Sequence, residues 1–401
     1  MRMKIKPVES RDELRMATDL MVQVHVDGDL AARRWLEDCS WQYPGYRQEH
    51  TRIATYRGEL LGALRLTTDT VRIGEARLKM GGLGWVATAP RHRRKGVCRR
   101  IIEDSIRYMR ANGYHISMLF GIPNFYHRFG YVSTLADYSV LVDTFEALTF
   151  ENPFKASLAT PAEVGVIQRI HNANDANSAC SLVRTVAHMH NKWGRWGEWI
   201  LLKDDQGKPV AYLVEQENGD CLDIVEAGVG EMRVCAAVVR HAGVVAESKG
   251  VTRIRFCVPP PSPIARFLSH FRSIHETRID RDAGGMMAFI NVGETLESMI
   301  PEWESLLSRS AARELRTEFT LVVDGAVFRI RANRGAVDVS TSTGASKIGL
   351  KPGDLMHLVT GYRYPNDVLD ERRCLVAGDA RILFSTLFPK RHPFVWRFDR
   401  F

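Results

Sequence analysis

Apolar and polar residues alternate over short stretches between residues 51 and 88, and this pattern predicts an antiparallel meander of strands with hairpin turns. Ahead of the meander, residues 4–8 predict a first strand. Apolar residues at helical spacing predict a helix that begins near Asp12; they are Leu14, Met16, Leu20, Met21 and Val24. The first part of the chain is therefore expected to be a sheet flanked by helices.

Residues 80–131 carry the most informative pattern. A predicted strand over 83–88 leads through a proline turn into a basic run that ends on Gly96, and an amphipathic helix then extends to Asn112 and Gly113. A strand over 115–120 and a short aromatic helix near Tyr126 follow. A basic, glycine-bearing loop at a helix N-terminus favours anions, because free N–H groups and the positive end of the helix dipole converge there. We therefore expect this loop to hold phosphate.

The sequence of the basic loop indicates which class of phosphate-binding loop it resembles. Neither the P-loop pattern nor the three spaced glycines of a dinucleotide loop occurs in the chain. Residues 93–98 (RRKGVC) instead resemble the Arg/Gln-x-x-Gly-x-Gly/Ala pyrophosphate loop of GNAT acetyltransferases, although Cys98 stands where a smaller residue is usual. The resemblance implies that acetyl-CoA is the cofactor. It implies the cofactor-binding residues Trp85, Val86, Ala87, Arg93, Arg94, Lys95, Gly96, Val97, Cys98 and Arg99.

A second motif carries candidate chemistry. Residues 124–131 (NFYHRFGY) resemble the family's Tyr-x-x-x-Gly-Tyr/Phe segment, in which the tyrosine faces the sulfur of CoA. A phenol near that sulfur can protonate it as a general acid, and the resemblance assigns this role to Tyr126; the alternative is a buried structural tyrosine. Residues 20–45 correspond to a wall of the acceptor pocket. The expected substrate-binding residues are therefore Asp27, Trp35 and Trp85. A cationic amine would suit the acidic side chain of Asp27.

The composition changes beyond Asp143. Residues 155–290 repeat the order of strands, helix, strand and proline, which indicates an internal duplication, but Glu231 replaces the basic run and predicts poor CoA binding. Residues 291–401 predict an α+β unit that resembles a sterol-carrier domain. This order resembles the Eis-like (enhanced intracellular survival) acetyltransferases. It implies a mixed α/β (α+β) fold with a catalytic GNAT domain at 1–150, a second GNAT-like domain at 151–290 and a sterol-carrier-like domain at 291–401.

The aromatic C-terminal segment gains a role from the same resemblance. In Eis-like enzymes the C-terminus reaches the catalytic domain, and its carboxylate serves as the general base. Here that group is the α-carboxylate of Phe401, which is ionised at neutral pH. His127 and Asp27 are the alternative bases.

Net charge, cysteine content and the length of apolar runs indicate the expected compartment and partners. The net charge of +8 would suit nucleic acid, but no nucleic-acid-binding motif accompanies it. The seven scattered cysteines have no metal spacing and favour a reducing compartment. We see no signal peptide and no apolar run of membrane-spanning length, so a cytoplasmic protein with no membrane or metal partner is expected.

Two classes of function follow. The first is an acetyl-CoA-dependent N-acetyltransferase that acts by direct transfer on an amine of a small molecule or peptide, such as an aminoglycoside or a lysine. The second is a non-catalytic carrier that holds an apolar molecule in the C-terminal unit. A transferase that uses another acyl-CoA is a variant of the first, and the resemblance implies a homo-oligomer, commonly a hexamer.

Overall fold

The computed structural model describes residues 3–29, 31–34, 36–37, 43–193 and 197–401, and its fold is mixed α/β as expected. The strands are β1 Lys4–Pro7, β2 Thr51–Tyr56, β3 Glu59–Ile73, β4 Ala76–Thr88, β5 Ile116–Gly121, β6 Val132–Leu135, β7 Asp137–Asp143, β8 Lys155–Leu158, β9 Ala179–Leu182, β10 Glu198–Lys203, β11 Pro209–Asn218, β12 Cys221–Val229, β13 Arg253–Phe256, β14 Ile274–Arg278, β15 Gly284–Phe289, β16 Arg316–Val323, β17 Ala326–Asn333, β18 Ala336–Ser340 and β19 Lys347–Leu350.

The α-helices are Arg11–His25, Val97–Ala111, Thr144–Ala147, Val164–Asn174, Val186–Lys192, Cys235–Ser248, Pro263–Leu268, Val292–Ser298, Ile300–Ser308, Pro352–Val359, Pro365–Glu371 and Gly378–Leu387. Within the described ranges, none of them has the length and apolar character needed to cross a membrane.

The first sheet has the order β1-β2-β3-β4-β5-β15-β6, and β9 pairs with β3. The helix Arg11–His25 packs on one face against Ala63 and Ala87, and the helix Val97–Ala111 packs on the other face against Leu64 and Leu66. The meander predicted over 51–88 is present. Its strand β3 is 15 residues long.

The second sheet has the order β14-β7-β13-β12-β11-β10-β8. Its strands β12 and β13 are parallel and are joined by the helix Cys235–Ser248, just as the helix Val97–Ala111 joins the parallel strands β4 and β5. The order of elements is thus repeated, in line with the duplication that the sequence indicates.

The two sheets exchange strands. β7, which precedes residue 150, pairs with β13 and β14 in the second sheet. β15, which follows residue 150, lies between β5 and β6 in the first sheet, and β9 also joins that sheet. Strand pairing therefore crosses the predicted boundary at 150, and the division into three functional units stays a prediction.

The third unit contains a sheet of order β18-β17-β16-β19. Aromatic side chains fill the core between this sheet and its helices; they are Trp303, Phe319, Phe384 and Phe388, whose ring centroids lie 5.1–6.4 Å apart. Residues 292–308 form two helices, and Pro301 lies at the start of the second, where its missing N–H costs no hydrogen bond.

The C-terminal segment, residues 394–401 (the tail), packs against all of these units. Val395 packs into the core shared by the first sheet and the third unit, Trp396 into the core of the second sheet, and Phe398 against Trp199 beside the helix Val164–Asn174. The indole N–H of Trp396 donates to Asp175 at 2.7 Å. Successive tail residues are thus anchored in different cores.

A buried ionic cluster accompanies the tail. Arg184 donates to both carboxylate oxygens of Glu226 at 2.6 and 2.7 Å, and both residues are fully buried. Burial alone would raise the pKa of Glu226, but Arg184 and His171 outweigh burial and lower this pKa from its ordinary 4.5 to about 2. The charged carboxylate therefore contributes stability above about pH 4.5, and this contribution is lost as the pH falls toward 2.

Replacement of Glu226 by Gln should lower the free energy of unfolding at pH 7 by about 3 kcal/mol, because one partner of a buried ion pair is neutralised. The difference from wild type should stay constant above pH 5 and shrink as the pH falls toward 2. Denaturant unfolding between pH 2.5 and 7 measures both effects. Glu217→Gln is the control, since Glu217 pairs with Lys249 at the surface. A pH-independent difference would contradict the lowered pKa.

Candidate functional site

The first sheet opens between β4 and β5. The two parallel strands pair only at Met80–Ile116, Gly81–Ser117 and Gly82–Met118, although β4 continues to Thr88 and β5 to Gly121. Beyond these pairs, β4 stays bonded to β3 and β5 to β15. The facing edges therefore diverge into a gap, where main-chain groups are free to bond a ligand.

A β-bulge shapes the β4 side of this gap. Ala63 pairs with Ala87 and Arg65 pairs with Gly84, so Trp85 and Val86 together oppose a single residue of β3, and Trp85 has a φ of +53°. The Val86 side chain packs toward the helix Val97–Ala111, whereas those of Trp85 and Ala87 pack toward the helix Arg11–His25. The three residues expected to form one ligand-binding strand thus face opposite sides of the sheet.

His25 is a neighbour of the bulge that sequence reasoning missed. Its Nε2–H donates to the Val86 carbonyl at 3.2 Å, and its ring lies 5.4 Å from that of Trp85 in an edge-on arrangement. Burial lowers the pKa of His25 below its ordinary value, which favours the neutral ring. Its place at the end of a predicted helix, just before Asp27, was the only available signal.

The basic loop ends at a helix N-terminus without an acidic residue. Gly96 is the N-cap with φ +77°, Arg94 has φ +61°, and no side chain caps the helix. The N–H groups of residues 94–99 donate no backbone hydrogen bond within the described part of the chain. Left-handed residues at such a turn point N–H groups at a common centre, which suits an anion.

The side chains around this terminus are cationic. Arg93, Arg94, Lys95, Arg99 and Arg100 are exposed, and none forms an ion pair with another described residue. Positive charge at a helix N-terminus is unfavourable by roughly 0.3–1 kcal/mol per group. An anionic ligand would offset this repulsion, which points to a polyanion site.

Val97 and Cys98 begin the helix and face its core side. Val97 packs against Gly62, so only its main chain is available to a ligand. Burial raises the pKa of the Cys98 thiol to about 12, so it carries its proton at neutral pH and is a poor nucleophile.

Tyr126 lies near Cys98 in the same cluster. It packs on Gly121 at the end of β5, where a β-carbon would overlap its ring, and its ring centroid lies 5.0 Å from that of Phe125. Burial, with a smaller contribution from Cys98, raises the pKa of Tyr126 well above its ordinary value. The phenol is therefore protonated at neutral pH and able to donate a proton.

The C-terminus lies on the opposite face of the same sheet. The Phe401 ring rests on Gly82, where a β-carbon would overlap it, and it makes an edge-on contact with Phe120 at 6.0 Å. A β-carbon built on Gly84 would lie 3.2 Å from the Phe401 carboxyl carbon. The terminal carboxylate thus reaches β4 where the gap opens, and only glycines leave it room.

The other candidates are less well placed. Asp27 lies in an exposed turn with φ +51°, and Trp35 falls outside the described residues. His127, an alternative base, is exposed in the turn Tyr126–Phe129. The residues that the structure brings to the gap are therefore the bulge, the loop, Tyr126 and Phe401.

Comparison with known proteins agrees with this geometry. Residues 5–133 match the model of the acetyltransferase (GNAT) domain. No curated protein sequence matches the chain.

Solved structures match over full length. A probable N-acyltransferase from Enterococcus faecalis V583 aligns with a TM-score of 0.79 at 15% identity, and a GCN5-related N-acetyltransferase from Anabaena variabilis with 0.75 at 16%. Eis1 from Mycobacterium abscessus aligns with 0.67 at 14%, and all three alignments cover 100% of both chains. At these identities the likeness shows the fold.

These findings make residues 5–133 an acetyltransferase (GNAT) domain and the chain an enzyme of the acetyltransferase kind. Such domains take an acyl group from an acyl-CoA and pass it to an amine.

Gly82→Ala should displace the tail, because the added methyl group overlaps the Phe401 ring and the Thr67 hydroxyl. We expect a loss of about 1–3 kcal/mol in unfolding free energy, typical of overpacking, and faster amide exchange in residues 394–401. Gly349→Ala is the matched control, since a β-carbon there meets no atom within 4 Å. Equal stability and equal tail exchange in the two variants would contradict this packing.

Proposed function

We propose that the chain is an acetyl-CoA-dependent N-acetyltransferase that acts by direct transfer in a ternary complex on an amine of a small molecule or peptide. The observation that carries the proposal is the uncapped, cationic helix N-terminus at Gly96, on the helix that connects β4 to β5. A CoA pyrophosphate needs this combination of free N–H groups and unpaired cations.

The residues proposed to hold acetyl-CoA are those of the loop and the bulge. The N–H groups of Gly96, Val97 and Cys98, with the side chains of Arg93, Arg94, Lys95 and Arg99, bind the phosphates. The divergent segment of β4 at residues 85–87 orients the pantetheine arm. When bound, acetyl-CoA supplies the thioester that is broken.

Two residues hold and move protons in this proposal. The Phe401 carboxylate removes a proton from the acceptor amine on its face of the sheet, and the protonated phenol of Tyr126 supplies one to the leaving thiol on the other face. The high pKa of Cys98 supports direct transfer, since a protonated thiol does not form an acyl-enzyme. The wall of the pocket for the acceptor amine is proposed to include the neutral ring of His25, together with Asp27 and Trp85.

The carrier alternative finds less support. A carrier needs an apolar tunnel in the third unit, but the rings of Trp303, Phe319, Phe384 and Phe388 contact one another in its core. A sterol-carrier-like fold for this unit and a homo-oligomeric assembly stay predictions. Aminoglycoside- and lysine-like amines stay the proposed acceptors.

Titration of the full chain with acetyl-CoA, followed by CoA release against a panel of aminoglycosides, polyamines and peptides, tests the proposal. Replacing Arg93, Arg94 and Lys95 together by Ala should weaken acetyl-CoA binding by about 10- to 100-fold, because charge-assisted bonds to phosphate are lost. The control replaces the exposed Arg309, Arg313 and Arg316 by Ala, which changes the net charge equally. Equal binding by both triple variants would locate the donor site elsewhere.

Tyr126→Phe should lower kcat by about 10²- to 10⁴-fold while acetyl-CoA affinity stays within about twofold, because the phenol acts only on the departing thiol. Steady-state kinetics and calorimetry separate the two quantities. Tyr131→Phe is the control: its buried hydroxyl bonds Ser117 at 2.7 Å, so its loss affects stability rather than turnover. Full turnover by Tyr126→Phe would remove the residue from the mechanism.

A further inference from the structure

Arg184 lies at the centre of the buried cluster that holds the tail. Besides its two bonds to Glu226, its Nε lies 2.9 and 3.0 Å from the two carboxylate oxygens of Asp399, and its Nη2 lies 2.9 Å from one of them. All three residues are buried to 1% exposure or less. One planar guanidinium thus joins β12, the segment after β9 and the tail.

The groups around Asp399 restrict it further. His188 Nε2 lies 3.3 Å from Asp399 Oδ1, and its Nδ1 lies 3.5 Å from Asp69 on β3. The Arg184 guanidinium also lies 4.8 Å above the Phe398 ring. Asp399 is therefore linked through His188 to Asp69 in the first sheet and through Arg184 to Glu226 in the second sheet.

This arrangement fixes position more than it adds stability. Taking charges out of water costs several kcal/mol per ion, and their attraction repays that cost only when the geometry is good. An apolar cluster of similar volume would stabilise the tail at least as well. By contrast, the bonds from Arg184 to both carboxylate oxygens of Asp399 fix the position of the tail along its path. A shift of the tail by one residue would leave Arg184 and Glu226 without Asp399, the third member of the cluster.

Asp399 lies two residues before the terminal carboxylate. Two residues of extended chain span about 7 Å at most, so the position of the Phe401 carboxyl group follows closely from that of Asp399. Between them, Arg400 lies 4.8 Å above the Phe120 ring and pairs with Asp137. The side chains of residues 399, 400 and 401 are thus held by different elements.

We infer that Arg184 is a positioning residue, which through Asp399 sets the Phe401 carboxylate against β4. The consequence for turnover rests on the proposed function, in which this carboxylate is the general base. A misplacement of about 1 Å in a catalytic group can cost about 10²-fold in rate. Arg184 bonds Glu226 and Asp399 and no described residue of the loop 93–99, so its replacement should disorder the tail without weakening acetyl-CoA binding.

The test measures tail order and turnover in the same variants of the full chain. In Asp399→Asn, amide exchange of residues 394–401 should rise at least about tenfold and kcat should fall about 10²-fold, with acetyl-CoA affinity unchanged. Arg184→Lys keeps the buried positive charge but loses the planar fork, so its effects should be intermediate. It provides the test if Asp399→Asn fails to fold.

Asp354→Asn is the matched control, because Asp354 also pairs bidentately with an arginine, Arg372, at 2.7 and 3.0 Å, but in the third unit away from the tail. It should leave tail exchange and kcat unchanged. Unchanged tail exchange in both Asp399→Asn and Arg184→Lys would overturn the inference. Faster tail exchange with full turnover would support the anchoring by Arg184 and contradict Phe401 as the base, so the two failures are distinguishable.

Discussion

The main constraint on the first sheet is that its neighbouring strands β4 and β5 stop pairing after Gly82 and Met118. Two parallel strands that stop pairing leave N–H and C=O groups without partners, and such groups are costly unless a ligand or water bonds them. The sheet tolerates the gap because β3 and β15 still bond the outer edges of the two strands. The gap thus leaves main-chain groups of both strands available to a ligand, as the proposed function requires.

The two faces of this gap carry different chemistry. On the face of the helix Val97–Ala111, burial keeps the Tyr126 phenol and the Cys98 thiol protonated. On the opposite face, the terminal carboxylate lies over Gly82 and Gly84. In the proposed function, the proton donor and the proton acceptor therefore lie on opposite faces of the sheet. Direct transfer between two substrates that meet in the gap fits this separation.

The end of the chain packs on the first sheet, close to residues from its beginning, and the fold is interleaved. Val395, Trp396 and Phe398 enter three different cores, and Arg184 bonds Asp399 from a segment that follows β9. With β7 in the second sheet and β15 in the first, neither of the first two units completes its own sheet alone. The site is consequently a property of the whole chain.

Sequence by itself determined the local elements and the donor loop. Hydrophobic periodicity defined the helix Val97–Ala111 and the strands around it, because it depends on neighbours within a few residues. The resemblance of the segments around Gly96 and Tyr126 to GNAT motifs suggested the chemistry. Tertiary structure alone decided the bulge at Trp85 and Val86, the contact of His25 with that bulge, the exchange of β7 and β15, and the pairing of Arg184 with Asp399. Each of these joins residues far apart in the chain, and long-range packing leaves no periodic signal in the sequence.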